Sequence, residues 1–326
     1  MKAIVVGPEF GNRNAKLTEV KAPETREGMV RVRITLAGMN PLDYNLINGK
    51  ILYNLSPIPH IPGAEAIGIA MTDGKTIRKG DRVVIYNRKY DGTCRFCKSG
   101  REEMCVNGGI HGVLDQGYYA EETYIDEKNL FRIPDGVSDE LAVSLPIGGL
   151  TAFHALRRAE ATVGENLLIF GGSGNTGIFA SQIGKSLGMN VSVVSRKDWM
   201  KDYGASNIFR TGEIDEKFRA DVVINSIGTQ FWTESLKHLD RGGRIVTFGV
   251  LTGRESSLDI GKIYTEEQKI VGSTGGTKSE FQEIIKLAEN ESFRVRIHST
   301  FTMEHFQEAL SEYEKVRDGR ILIRVS

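Results

Sequence analysis

The chain contains three cysteines, Cys94, Cys97 and Cys105, and all fall within twelve residues. Disulfide frameworks spread their cysteines to close loops, whereas metal sites draw them together. The stretch reads Asp91-Gly92-Thr93-Cys94-Arg95-Phe96-Cys97, and seven residues then separate Cys97 from Cys105. Three thiolates need one more ligand to close a tetrahedral zinc site. Asp91, three residues before Cys94, has the matching spacing and a competent oxygen. His111 is the competing candidate, while Glu102 and Glu103 read as solvated charges. A closed site of this kind is structural rather than catalytic. Three reduced thiols without a metal are the plainer alternative.

A second pattern joins Leu167-Leu168-Ile169-Phe170 to Gly171-Gly172-Ser173-Gly174-Asn175-Thr176-Gly177. Gly172, Gly174 and Gly177 form GxGxxG after an apolar strand, opening a helix whose Ala180, Ile183, Gly184 and Leu187 share one face. The first glycine permits a tight turn, the second lets the backbone approach a pyrophosphate, and the third lets helix pack on strand. The helix start, with Ser173, Asn175 and Thr176 beside it, offers unpaired N–H groups and its dipole to phosphates. The pattern predicts a dinucleotide site. The next strand ends Val194-Ser195-Arg196-Lys197, where an NAD site of this type usually carries Asp or Glu. Ser195, Arg196 and Lys197 can donate to and neutralise a 2′-phosphate, which a carboxylate would repel. This points to NADP(H); the alternative is a solvated turn with Asp198 serving the ribose of NAD.

These residues need elements to hold them. The first 135 residues carry short apolar or alternating runs (Met29–Leu36, Ala66–Ala70, Asp81–Tyr86, Tyr118–Tyr124) separated by Gly, Pro, Asn and Asp, as in a β-rich barrel-like domain. From Ser138 a capped helix is expected through Leu156. Strand and helix patterns then alternate: strands over Asn166–Phe170, Asn190–Ser195, Asp221–Asn225, Arg244–Phe248 and Lys269–Gly272, with a helix over Thr176–Leu187, predict a parallel sheet with helices on both faces. A helix around Glu280–Leu287 and a strand–helix–strand tail (Arg294–Phe301, Glu304–Val316, Ile321–Val325) follow. The expected division is 1–135 with 293–326 as one domain and 136–292 as the other. The length, 326 residues, suits two domains. Lys+Arg and Asp+Glu are both 42, so no net field gathers polyanions and a nucleic-acid binder is not expected. No apolar stretch approaches the roughly 18 residues of a membrane helix. The start reads directly as a strand, Met1–Val6, which makes the cytoplasm the expected location.

This order of features resembles the medium-chain dehydrogenase/reductase superfamily, which includes zinc alcohol dehydrogenases, quinone oxidoreductases and enoyl reductases. Further matching segments are Gly38-Met39-Asn40-Pro41-Leu42-Asp43, Pro62-Gly63-Ala64-Glu65-Ala66-Ile67-Gly68, Lys79-Gly80-Asp81-Arg82-Val83, Gly117-Tyr118-Tyr119-Ala120-Glu121 and Leu150-Thr151-Ala152. The resemblance implies a GroES-like β-rich catalytic domain and a Rossmann doubly wound domain, with a reaction cleft between them. It also implies homodimers or homotetramers built through the Rossmann domain. Thr151, Ser226, Ile227, Gly249, Val250, Ser273 and Thr274 then fall where the family holds its cofactor.

Departures from the family pattern carry the functional expectation. Asn40 stands where zinc alcohol dehydrogenases have a cysteine, Ala64 stands where they have a histidine, and Leu145-Pro146-Ile147-Gly148-Gly149 offers no third ligand. Glu65 alone remains, as the expected partner of a buried base or backbone group; Asp43 or His60 would have to stand in as ligands. The resemblance therefore implies one structural zinc, on Asp91, Cys94, Cys97 and Cys105, and no catalytic zinc. Asn40 is similar to the asparagine of quinone oxidoreductases, which also carry a tyrosine near the position of Tyr53; Tyr44 is a neighbouring alternative. The expected activity is NADPH-dependent hydride transfer to a carbonyl-conjugated double bond or a quinone, with Asn40, Asp43 and Tyr53 as the catalytic set. An alcohol or sugar dehydrogenase, or an idle NADPH-binding protein, are the alternatives.

Overall fold

In a computed structural model of the chain, side chains along β3 (Met29–Gly38) alternate between buried and half-buried positions, the period expected of a strand covering a core. The structure describes residues 1–51, 55, 57–290 and 293–326. Two compact units emerge, one formed by 1–147 with 277–326 and the other by 148–276. The sequence-based borders lay at 135/136 and 292/293. Two helices account for the difference. Asp139 of α3 (Asp139–Ser144) accepts from Arg82 at 2.6 Å, and Phe281 of α8 (Lys278–Asn290) packs tilted against Tyr86 and edge-on against Phe131.

The first unit is a seven-stranded sheet. Its order is β16 (Ile297–Thr302), β17 (Arg320–Arg324), β3, β4 (Ala66–Ala70), β5 (Arg82–Ile85) and β9 (Leu130–Arg132), with β8 (Glu122–Asp126) pairing the first half of β3. Only the β16–β17 pair is parallel. A ribbon of β1 (Lys2–Val5) and β2 (Lys16–Glu19) and a short pair of β6 (Arg88–Lys89) and β7 (Gly109–Ile110) complete its strands. Val30, Val32, Ile34, Ile321, Ile323, Phe306 and Leu310 share one fully buried core with α9 (Phe306–Tyr313). Tyr118–Glu121, expected as strand, instead bond into the chain around Pro62 and Gly63 and into Lys2.

The second unit is an all-parallel six-stranded sheet in the order β12 (Asn207–Phe209), β11 (Asn190–Val194), β10 (Asn166–Phe170), β13 (Ala220–Asn225), β14 (Leu239–Thr247), β15 (Lys269–Gly272). Numbered within the unit, this is 3-2-1-4-5-6, the doubly wound order that binds dinucleotides where strand direction of travel reverses, between β10 and β13. Helices α4 (Leu150–Arg158), α5 (Asn175–Ser186), α6 (Trp232–Lys237) and α7 (Ile260–Thr265) accompany it. The single helix expected from Ser138 to Leu156 is broken by a π-turn over Leu145–Gly149. Pro146 lies in that turn, and its missing N–H leaves the regular ladder one donor short. Among the described residues no helix is long and apolar enough to cross a membrane.

Candidate functional site

The glycine turn has the geometry its sequence requires. β10 ends at Phe170, Gly171 takes φ +84°, and Gly174 caps α5. A Cβ on Gly177 would overlap the carbonyl oxygens of Gly171 and Gly172, and one on Gly172 would meet Val193 at 2.7 Å. Gly174 differs: a Cβ there would meet only the Gly171 oxygen, at 3.3 Å. The strand–helix packing thus requires the outer two glycines, while the middle one is constrained only by the Gly171 oxygen at the helix start. Asn175, the first residue of α5, keeps a buried Nδ2 with no acceptor among the described residues. Ser173 and Thr176 flank it on the turn. A phosphate at this helix start would satisfy such a donor.

The switch point is closed by the ends of β13 and β14. Asn225 is fully buried, and its side-chain oxygen accepts from the N–H groups of Ile227 and Gly228 at 3.0 and 2.9 Å. Ser226 Oγ donates to the Phe170 carbonyl at 2.9 Å, which fixes the two strand ends together. A Cβ on Gly249 would overlap the Ser226 carbonyl. Gly249 and Val250 line a cavity of about 250 Å³ with Gly228, Thr229, Trp232 and Thr247. Ser273, just past β15, has a buried hydroxyl without a partner among the described residues, and Thr274 follows it. Thr151 lies in the first turn of α4, one residue after its start.

At the end of β11, Ser195 Oγ accepts from the Lys197 N–H at 3.0 Å, and Arg196 is exposed. Arg210, which follows β12, donates to the Ser195 carbonyl at 2.8 Å and to Asp198 at 2.6 Å. Asp198, the residue that would serve an NAD ribose, is thus engaged by a cation. Arg210 went unnoticed in the sequence because β12 is only three residues long and has no pattern of its own.

In the first unit, Asn40 caps α1 (Pro41–Ile47). Its backbone N–H donates to Asp43 Oδ2 at 2.8 Å, and the Ala64 N–H donates to Asp43 Oδ1 at 2.9 Å. Asp43 is fully buried. Burial pushes its carboxyl up to about 7, the Glu65 charge pushes the same way, and the two N–H donors oppose. The Asn40 amide adds a weaker opposing pull, yet Nδ2 has no acceptor in hydrogen-bond geometry among the described residues.

Glu65 pairs with Arg320 of β17, both of them buried. Gly38 lies against this pair, where any Cβ would overlap both side chains. Its carbonyl accepts from Tyr119 Oη at 3.0 Å. Tyr44, the alternative proton donor, gives its hydroxyl to Glu314 at 2.7 Å. His60 is buried with its ring nitrogens against the Gly112 and Pro57 carbonyls, 2.8 and 3.2 Å away. Tyr53 lies outside the described residues.

The cysteine lobe, with Cys97 on α2 (Arg95–Lys98), brings Asp91 together with the three cysteines. Ligand atoms of Asp91, Cys94, Cys97 and Cys105 all lie within 4.8 Å of one another, the one such cluster among the described residues. Cys94 Sγ is 3.5 Å from Cys97 Sγ and 3.9 Å from Cys105 Sγ. The set fits a tetrahedral ion bound by three sulfurs and one oxygen. His111, the rival ligand, instead faces Asp115 at 2.9 Å and Asn129 at 3.4 Å. Glu103, expected to be solvated, is buried and paired with Arg101 at 3.3 Å. Asp91 Oδ2 accepts from Asn107 at 2.6 Å, which holds its carboxyl well below the usual carboxylate range, helped by the N–H groups of Thr93 and Cys94.

Comparison with known proteins agrees with this architecture. Residues 26–135 match the family described as alcohol dehydrogenase GroES-like domain, and residues 176–290 match zinc-binding dehydrogenase. An acryloyl-coenzyme A reductase of Sulfurisphaera tokodaii is 33% identical over 99% of this chain and 100% of its own length. An NAD-dependent alcohol dehydrogenase of Sulfolobus acidocaldarius is 27% identical over the whole of both chains. Among solved structures, the cobalt- and zinc-bound thermostable alcohol dehydrogenase of Pyrobaculum aerophilum superposes with a TM-score of 0.93 at 36% identity, over 100% of this chain and 99% of that one. A GroES-like unit joined to a Rossmann unit, matched over its full length, places the chain in the medium-chain dehydrogenase/reductase superfamily. It is an oxidoreductase of that superfamily.

Proposed function

We propose that the chain is an NADPH-dependent reductase of carbonyl-conjugated double bonds or quinones, with no metal at the hydride-accepting centre. One observation carries this: Asn40 holds a buried Nδ2 donor that lacks an acceptor among the described residues. An unmet buried donor costs about 1–3 kcal/mol, a cost offset when a substrate oxygen arrives and gains negative charge. The donors around it do not suit a divalent ion. Asn40 and Ala64 offer no anionic or imidazole ligand and Glu65 is committed to Arg320, which leaves the Asp43 carboxylate without the further ligands a zinc ion needs. Relatives named acryloyl-coenzyme A reductase act, by name, on an activated double bond, which supports this reading and adds a thioester as a substrate handle.

A bound reduced nicotinamide supplies the hydride. The glycine turn and Asn175 hold its pyrophosphate, while Ser226, Ile227, Gly249, Val250, Ser273, Thr274 and Thr151 border the rest of the cofactor. Ser195, Arg196, Lys197 and Arg210 receive the 2′-phosphate. In the first unit, Asn40 Nδ2 donates to the substrate's carbonyl oxygen as the enolate forms. Asp43 positions Asn40 through its backbone N–H, and Arg320 balances Glu65 beside them. Tyr53 or water returns a proton to the enolate carbon. Asp91, Cys94, Cys97 and Cys105 hold one structural zinc. We further infer a homodimer or homotetramer through the second unit. Among the described residues its edge strand β15 is unpaired on one side, and Ile260 and Tyr264 of the preceding α7 are 76% and 79% exposed.

The test is reduced-cofactor oxidation across a panel of enones, quinones, enoyl thioesters and aldehydes, with zinc measured on the same sample. Activity with NADPH on the conjugated acceptors, one zinc per chain, and an Asn40→Ala loss of about 10²–10³ in kcat are expected. Two zincs per chain with alcohol oxidation would establish the alcohol dehydrogenase reading instead.

A further inference from the structure

The metal lobe has an unusual fourth ligand, and the residue that holds it lies next to the last cysteine. Asp91 is the only oxygen donor in the cluster. Its Oδ1 accepts from the N–H groups of Thr93 and Cys94, at 2.7 and 3.1 Å, and its Oδ2 accepts from Asn107 Nδ2 at 2.6 Å. Asn107 lies in the turn that follows Cys105, where the Gly108 N–H returns to the Cys105 carbonyl at 3.2 Å. Gly108 must be small, because a Cβ would overlap the Lys89 carbonyl and press on Cys105. The Asp91 N–H in turn donates to Cys105 Sγ at 3.4 Å. The first and last ligands are therefore tied to each other twice, once through the Asp91 backbone and once through the Asn107 side chain.

A thiolate binds zinc through a single soft atom, so its direction is set by the Cα–Cβ bond and one rotation. A carboxylate has two competing oxygens and a further torsion, so it needs an outer partner to choose which face it offers. We propose that Asn107 is a metal-positioning residue: it fixes the Asp91 carboxylate as the fourth ligand of a mixed oxygen–sulfur zinc site. This rests on the four-residue metal site proposed above. Its consequence is specific to the aspartate, since a cysteine at position 91 has no second oxygen for Asn107 to hold.

The experiment is a double-mutant cycle on the full chain with Asn107→Leu and Asp91→Cys. Zinc affinity is read by competition with a chromophoric chelator, and the cobalt-substituted protein gives an absorption spectrum that reports the ligand set. We expect Asn107→Leu to weaken zinc binding about 10–100-fold and to shift the cobalt bands. In the Asp91→Cys background the same change should cost less than about threefold. Asn107→Asp, which removes the donor and sets a like charge against Oδ2, should act as Asn107→Leu does and serves if that variant fails to fold. Equal losses in both backgrounds would make Asn107 a merely structural residue and overturn the inference. So would wild-type affinity in Asn107→Leu. A wild-type chain that binds neither zinc nor cobalt would remove the metal site itself, a failure distinct from these two.

Discussion

Asp43 shows how burial sets chemistry at a single side chain. Its folded carboxyl sits near 7, above the 3.8 of the free group, because desolvation and Glu65 outweigh the N–H groups that favour its charge. Between these values the folded chain holds a proton that the unfolded chain has released. The stability this contributes is complete below about pH 4 and is lost as pH rises through about 7. Unfolding free energies from urea titrations between pH 5 and pH 8 should therefore fall in the wild type, by at most about 1.4 kcal/mol per pH unit. Asp43→Asn should flatten that dependence. A wild-type stability that does not fall over this range would mean the carboxylate is charged throughout. Several residues at this scale were legible in the sequence. The cluster of Asp91, Cys94, Cys97 and Cys105 was largely visible in the spacing, which left His111 open as its fourth member, because such a cluster is mostly local in sequence. Arg320 was not, since its partner Glu65 is 255 residues away, and no local pattern marks a pairing made across a sheet. Glu103 misled for a related reason: a charge on a short surface-like stretch reads as solvated until its burial is seen.

At the level of elements, short strands bounded by turn residues were read most faithfully. β4, β10 and β15 coincide with the expected Ala66–Ala70, Asn166–Phe170 and Lys269–Gly272, because apolar runs bounded by turn residues leave little choice. The π-turn at Leu145–Gly149 was missed because apolar spacing continues through it; the break is in the hydrogen-bond ladder, to which hydrophobic periodicity is blind. The strand-to-helix turn of β10 and α5 separates two uses of glycine that the motif lumps together. Gly177→Ala should destabilise the second unit by about 1–3 kcal/mol, because its Cβ has nowhere to go. Gly174→Ala should cost less thermal stability than Gly177→Ala, since φ there is −77° and a Cβ would meet only the Gly171 oxygen, at 3.3 Å. It should nevertheless weaken NADPH binding, measured by quenching of nucleotide fluorescence, because the methyl group would intrude on the pyrophosphate site proposed above. Equal melting temperatures for both variants would show that the turn is not packed as described.

For the molecule as a whole, the unpaired edge of β15 sets the expected assembly. An exposed edge strand flanked by exposed apolar side chains is a template for pairing with another copy. Light scattering should give a dimer or tetramer mass, and Tyr264→Glu should shift it toward the monomer with little change in the monomer's secondary structure; a wild-type monomer at all concentrations would remove the assembly. The first unit has a different dependence, one of time. Its sheet is completed by β17, which carries Arg320, yet Glu65 is synthesised 255 residues earlier. At ribosomal speeds that interval is on the order of ten to fifty seconds. The whole of the second unit emerges in between and can fold while the first waits. Throughout the wait, the nascent first unit holds a carboxylate destined for burial with no counter-charge to meet it. Its closure therefore waits for β17, and the arrival of a single arginine is what lets that acidic pocket shut.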